Sequence, residues 1–270
     1  MHYDPVKDIF ADMLRKYPSL RSLFYRLLDL LFLRAWYVHR ELREIRKNFS
    51  GKNIKILDAG SGYGQYSYFM IRKLTPCSIS AIDVKESWIE DCQRFFTAKN
   101  FTDIKFEVGD LLEISVKEAC DLIVCVDVME HIVEDVKVFQ NYYNALKPGG
   151  YLLINTPSIF GGSDAHSHDD ESFIGEHARN GYSFEDLTGK LSPLGFKPYS
   201  SRYSYGFWGD LYWRLIIKFP ILMVNKLKAA ILFLPLYYLF TLPFGLLFML
   251  IDYKKRNIVG SGITYVAQKP

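Results

Sequence analysis

The chain has 270 residues, 49% hydrophobic and 23% charged, with a formal net charge of +3 at pH 7. That is ample for one large core with an appendage. Its four scattered cysteines, Cys77, Cys92, Cys120 and Cys125, exclude metal-knuckle and paired-redox spacing. Divided along the chain, the charge is uneven. Residues 1–50 carry 10 basic and 6 acidic side chains, residues 51–200 carry 14 and 22, and residues 201–270 carry 9 and 2. An acidic centre argues against a nucleic-acid-binding face, whereas basic, apolar ends suit an anionic membrane surface. The N-terminal MHYDPVKDIF lacks the basic-then-apolar order of a secretory signal. The cysteines are therefore expected to be reduced, in a cytoplasmic protein.

In chain order, Leu20, Phe24, Leu27, Leu31, Ala35, Val38, Leu42, Ile45 and Phe49 recur at spacings of three and four. This predicts one continuous amphipathic helix over 20–49, ending near Ser50-Gly51. From Ile54 the period shortens. Strands are predicted at 54–57, 78–82, 104–108, 122–126 and 151–155, and helices at 65–74, 86–98 and 134–146. Alternation of this kind implies a parallel sheet with right-handed crossovers, whose ligands lie beyond the carboxyl ends of the strands. Residues 157–182 read as a long polar loop. A helix follows at 183–192 with Ser183 as its N-cap, then a strand at 196–205, an intensely apolar stretch at 215–251 and a last strand at 262–267.

The stretch Ile56-Leu57-Asp58-Ala59-Gly60-Ser61-Gly62-Tyr63-Gly64 is a strand feeding a glycine turn that opens a helix. A dinucleotide-binding loop places its third glycine where Gln65 stands here. The segment instead resembles the first motif of the class I S-adenosylmethionine (SAM) methyltransferases, specifically the small-molecule branch that includes the ubiquinone-biosynthesis O-methyltransferases. Asp83 is similar to the acid that holds the ribose hydroxyls, and Gly109-Asp110-Leu111 to the segment that contacts adenine. Val126-Asp127-Val128-Met129-Glu130-His131 and Leu146-Lys147-Pro148-Gly149-Gly150 resemble that family's strand-four motif and the turn into strand five. The resemblance covers about 54–156. It implies a Rossmann-like α/β sheet of seven strands, the last antiparallel; the residue pattern outside it adds an N-terminal helical extension and an apolar helical insertion before the last strand. It also implies a SAM-binding set of Asp58, Ala59, Gly60, Ser61, Gly62, Gly64, Asp83, Val84, Asp110, Leu111 and Val126.

Methyl transfer to a hydroxyl asks the protein for alignment and a base with a pKa near neutrality, which favours histidine. The loop after strand five supplies His166, His168, Glu176, His177, Arg179 and Tyr182. Of these, His177 is the candidate base or acceptor orienter and Arg179 the candidate anion clamp. The competing reading is that both pin the turn into Ser183. Glu130-His131 reads first as architecture beside the cofactor pocket, with His131 carried as a candidate for proton transfer. His166-Ser167-His168-Asp169-Asp170-Glu171 has metal-type donors without a recognised spacing, so no metal is expected.

Residues Ala229–Ile251 are 23 consecutive positions without a charge, long enough to span a bilayer. The final strand must nevertheless return to the sheet, Pro235 and Pro243 are expected to break the run, and basic residues flank both ends. The reading that meets all three is a broken helical segment dipping into one leaflet, with 20–49 beside it. The alternative is that 20–49 and 215–256 pack on each other or form a dimer interface. The expected organisation is an N-terminal helical segment at 1–50, a SAM-binding core at 51–205, an apolar insertion at 206–258 and the last strand of the core at 259–270. The expected function is methylation, at oxygen, of a small or lipid-like acceptor by a protein peripheral or monotopic at the inner face of the membrane. The alternatives are a soluble methyltransferase for a small metabolite or sugar precursor, and a non-catalytic SAM-binding regulatory protein.

Overall fold

The computed structural model describes residues 18–161 and 178–270. Seven strands form one sheet in the order β3-β2-β1-β4-β5-β7-β6. They are β1 (Ile54–Ala59), β2 (Cys77–Asp83), β3 (Ile104–Val108), β4 (Cys120–Val126), β5 (Leu146–Pro157), β6 (Lys197–Ser204) and β7 (Gly262–Gln268). The first five pair in parallel. Strand β7 runs antiparallel to both β5 and β6. The protein therefore has the expected Rossmann-like architecture with an antiparallel last strand.

The sheet is covered on both faces, and strand alternation assigns its side chains. Leu122, Val124 and Leu153 join one core with Val38, Leu42, Ile45, Met70 and Phe96. Ile123, Cys125, Leu152 and Ile154 join the other with Val138, Phe139, Tyr142 and Leu187. Period two in a strand sends neighbours to opposite faces, so an unbroken apolar run is what a doubly covered strand requires. All four cysteines are free and buried.

The helices are α1 (Pro18–Leu31), α2 (Leu33–Lys47), α3 (Gln65–Lys73), α4 (Glu86–Ala98), α5 (Asp135–Ala145), α6 (Phe184–Leu191), α7 (Phe207–Trp213), α8 (Phe219–Lys226) and α9 (Leu234–Lys254). Ser183 caps α6 in a reciprocal box with Asp186, as its sequence predicts.

Two expectations need correction. The 20–49 segment is two helices, because Phe32 adopts an extended conformation (φ −101°, ψ 112°) between them. The stripe also divides. Val38, Leu42 and Ile45 are fully buried on the sheet, whereas α1 exposes Leu23, Leu27 and Leu30. Helix α2 is thus a wall of the core, and only α1 keeps an outward apolar face. The second correction concerns the insertion. Pro235 lies in the first turn of α9, where no amide donor is needed, and Pro243 lies inside a helix that continues to Lys254. The 21-residue α9 is therefore unbroken.

Between β6 and β7 the chain forms α7, a π-helical turn at Arg214–Lys218, α8, a 3-10 turn at Lys228–Phe233 and α9. The root of this insertion is anchored. Tyr37 donates a hydrogen bond to buried Asp252 at 2.9 Å, and the Gly209 amide donates to the same carboxylate at 3.0 Å. Gly245 lets α9 approach the π-helical turn, since a Cβ there would stand 2.5 Å from Ile216. The distal part has no such cover. Lys228–Lys254 is long and apolar enough to cross a membrane, and only 6% of its most apolar stretch is buried.

The division of the N-terminal stripe is testable. Leu42→Ala should cost about 2–5 kcal/mol by leaving a cavity against the sheet, and exposed Leu27→Ala about 0.5 kcal/mol or less. Urea unfolding of the two variants measures the contrast, and equal losses would contradict the burial of α2.

Candidate active site

The carboxyl ends of β1 to β5 carry the site. At the end of β1 the chain turns through Gly60, Gly62 and Gly64, all in left-handed conformations (φ 77°, 52° and 76°). Gly60 has a second constraint, because a Cβ would lie 2.3 Å from a Val128 methyl. The loop is stitched to β2. The amides of Gly60 and Ser61 donate to the Ile82 carbonyl at 2.8 and 2.9 Å, and the Gly62 amide donates to the Asp83 carboxylate at 2.8 Å.

Asp83 receives a second backbone donor from Lys85 at 2.9 Å. A carboxylate has about four acceptor sites, so Asp83 keeps capacity for two ribose hydroxyls. Asp110 is exposed beyond β3 and caps a 3-10 turn through Leu112 N at 2.9 Å, again with acceptor capacity left over. Val84 is 64% exposed beside Asp83, Leu111 is buried in the turn and Val126 is partly buried at the end of β4. The Ser61 hydroxyl is buried without a hydrogen-bond partner. An orphaned hydroxyl in a glycine cradle, flanked by two acids with spare acceptor capacity, fits the polar ends of adenosylmethionine.

Asp58 has a different place from the one expected. It is buried beneath the loop and accepts from the Ser67 hydroxyl in the first turn of α3. It therefore ties β1 to α3, and it does not stand in the cradle. Burial raises its pKa to about 6, the Ser67 hydrogen bond opposes the rise, and the charge of Asp83 adds to it.

The cradle has an outer wall that periodicity did not reveal. Arg21 of α1 donates to the Tyr63 carbonyl at 2.9 Å and to the Asp91 carbonyl at 3.0 Å, and Tyr25 also donates to Tyr63. Gln65 donates to Asp29 at 2.9 Å. Tertiary packing alone brings Arg21, Tyr25 and Asp29 of α1 against the loop and the start of α3.

A chamber of about 910 Å³ opens beside the cradle, past the ends of β4 and β5. Asp127, Glu130, His131 and Asn155 line its core side, and Phe207, Trp213 and Arg214 of the insertion line the opposite side. Both chamber arginines are paired with carboxylates, Arg34 with Asp127 and Arg214 with Asp210. Glu130 is buried and accepts from Thr156 at 3.0 Å. His131 is exposed to the chamber.

Of the other two catalytic candidates, Arg179 does not reach the chamber. Its guanidinium is held by Asp135 and by the carbonyls of Ile132 (2.6 Å) and Val133 (3.1 Å), above the Tyr182 ring. Asp135 also binds Lys190 and Tyr182, and these donors and cations hold its carboxyl below the usual range against the opposing effect of burial. Arg179 is thus spent on pinning the turn into α6, and the anion-clamp expectation is corrected. His177, with His166, His168 and Glu176, lies outside the described residues.

A methyltransferase domain family matches residues 50–192. At 27% identity the chain is similar to the carboxy-S-adenosyl-L-methionine synthase of Shewanella halifaxensis (strain HAW-EB4), over 71% of this chain and 74% of the relative. At 29% identity it is similar to the ubiquinone biosynthesis O-methyltransferase of Neisseria meningitidis serogroup C (strain 053442), over 49% of this chain and 53% of the relative. Among solved structures, phosphoethanolamine N-methyltransferase 2 of Haemonchus contortus, in complex with S-adenosyl-L-methionine, has a TM-score of 0.58 at 16% identity. That likeness covers 92% of this chain and 60% of the solved one. The chain belongs to the methyltransferase domain family. It is an enzyme whose cofactor is SAM and whose acceptor is a small molecule.

The buried carboxyl beneath the loop has a measurable signature. Between about pH 4 and pH 6 the folded protein holds a proton on Asp58 that the unfolded chain has released, so stability falls as pH rises through that window; below it this group adds no pH slope, and above it the loss stays constant. Asp58→Asn should flatten this part of the thermal-midpoint profile while keeping an acceptor for Ser67. A profile unchanged by the substitution would refute the assignment.

Proposed function

We propose that the enzyme methylates an amphipathic, lipid-like acceptor at an oxygen atom, working as a monotopic protein on the inner face of the membrane. The observation that carries this reading is the continuity of the chamber mouth with the uncovered insertion. Phe160, Phe207 and Val259 line the chamber and are 52%, 73% and 53% exposed. Beyond them α8, the 3-10 turn and α9 expose Leu222, Leu232, Phe233, Leu239, Phe240 and Phe244. Soluble monomers rarely present so broad an apolar surface. Lys218, Lys226 and Lys228 precede the apolar run, and Lys254, Lys255 and Arg256 follow it, which favours keeping both ends on the cytoplasmic side. An acceptor with a greasy tail then enters from the lipid with its hydroxyl leading. Pairing of both chamber arginines makes the interior poorly suited to an acidic acceptor.

When bound, SAM supplies a methyl group activated by its sulfonium. The protein's part is alignment, exclusion of water and proton removal. The cradle fixes one partner at the ends of β1 to β3, and the chamber fixes the other beyond β4 and β5. His131, at the chamber wall after β4, takes the acceptor hydroxyl's proton on its imidazole. Glu130, held by Thr156, keeps the neighbouring turn in place.

Two measurements test the reading. A variant with Leu239, Phe240 and Phe244 changed to Ser should stop floating with liposomes and keep its SAM-induced thermal shift. Flotation equal to the parent, or a parent that never floats, would sink membrane action. His131→Ala should lower kcat by about 10²–10⁴-fold with SAM affinity intact, and unchanged turnover would remove His131 as the base.

A further inference from the structure

A second cavity, of about 570 Å³, is walled by α1, α2, α3 and the end of α9. Four cations line it: Arg26, Arg43, Arg72 and Lys73. Among the described residues none of the four forms an ion pair. Two are held in place by aromatic faces, Arg43 over Phe69 at 5.3 Å and Arg72 over Tyr68 at 5.0 Å. The one carboxylate in the wall, Asp29, accepts from Gln65 and is attracted to Arg43 and Arg72, so the wall carries four cations against one anion.

The cavity also has a polar group waiting in its wall. His39 is 5% exposed, its ring is stacked on Phe69 at 3.5 Å, and its Nε2 has no hydrogen-bond partner. Asp29 lies 3.5 Å from that nitrogen, beyond good hydrogen-bond reach for this geometry. Four cations against one carboxylate around a roomy cavity, with a buried imidazole nitrogen that has no hydrogen-bond partner, match a phosphate better than any neutral ligand.

Its surroundings select the source of that phosphate. Trp36 and Tyr253 meet edge to face at 5.7 Å in the same wall. Tyr253 closes the apolar α9 and is followed by the exposed Lys254, Lys255 and Arg256. Leu30 in the wall continues the exposed stripe of Leu23 and Leu27 on α1. Aromatic rings and basic residues at the end of an apolar helix are the composition of a membrane–water interface.

We propose that this cavity binds the phosphate of an anionic phospholipid headgroup and so fixes how the enzyme sits on the bilayer. This rests on the membrane reading above but concerns a site separate from both the cradle and the chamber.

Flotation with phosphatidylcholine vesicles, with and without phosphatidylglycerol, tests it. Arg43→Gln/Arg72→Gln/Lys73→Gln should lose on the order of a hundredfold in partition onto the anionic vesicles and bind pure phosphatidylcholine like the parent. Arg43→Lys/Arg72→Lys, which keeps the charge, should retain most of the anionic preference. The SAM-induced thermal shift verifies that each variant is folded. A control with Lys105, Lys117 and Lys137 changed to Gln should bind like the parent, and an equal loss there would reduce the effect to net charge and overturn the site. Full anionic preference in the first variant would overturn it while leaving membrane contact standing. Stabilisation of the parent by soluble glycerol phosphate as strong as that by anionic vesicles would overturn the lipid assignment. Absence of flotation with either vesicle would remove the membrane reading and this site together.

Discussion

Strand β7 is hydrogen-bonded antiparallel to β5 on one side and β6 on the other, and that pairing dictates where the intervening chain goes. Strand β6 ends at Ser204 and β7 begins at Gly262, and the two residues are paired. The insertion must therefore depart from and return to one edge of the sheet, the edge that holds the carboxyl ends of β1 to β5. A long apolar helix on such a tether can leave the body of the protein only as a hairpin. Its root stays over the chamber, fixed by Tyr37, Gly209 and Asp252.

The same edge brings the two halves of the chemistry together. Glycines at 60, 62 and 64 give a backbone surface at the end of β1, and Asp83 and Asp110 follow at the ends of the next two strands. The chamber begins where β4 and β5 end. Asp127 joins the regions. It sits in a left-handed conformation (φ 52°) directly after β4, its amide donates to the Asn155 carbonyl at 2.8 Å, and its carboxylate meets Arg34 from α2. The N-terminal helices are therefore part of the site's construction as well as a cover for the sheet.

Much of the fold was legible in sequence because strands and helices leave different periods. The apolar runs around Leu122–Val126 and Tyr151–Ile154 required a doubly covered sheet, and the glycines and acids fell at strand ends where a parallel sheet binds ligands. Side-chain commitments were less legible. Asp58 belongs to the family motif yet faces Ser67 beneath the loop. Arg179 had the right chemistry for an anion, but Asp135 and two carbonyls already occupied it. Arg21 and Tyr25 were invisible as site residues because their partner is a backbone carbonyl in the loop, and backbone partners leave no mark in composition. Phe32 and Pro243 show the limit of local rules in both directions. A residue with no breaking tendency interrupts one helix, and a proline fails to interrupt another.

The Tyr63 carbonyl, claimed by both Arg21 and Tyr25, joins two equilibria that would otherwise be independent. The glycine turn cannot swing outward unless α1 lets go, and α1 cannot lift from the body without unlocking the turn. Opening the turn and lifting α1 each break the same hydrogen bonds, so the two share one free-energy cost.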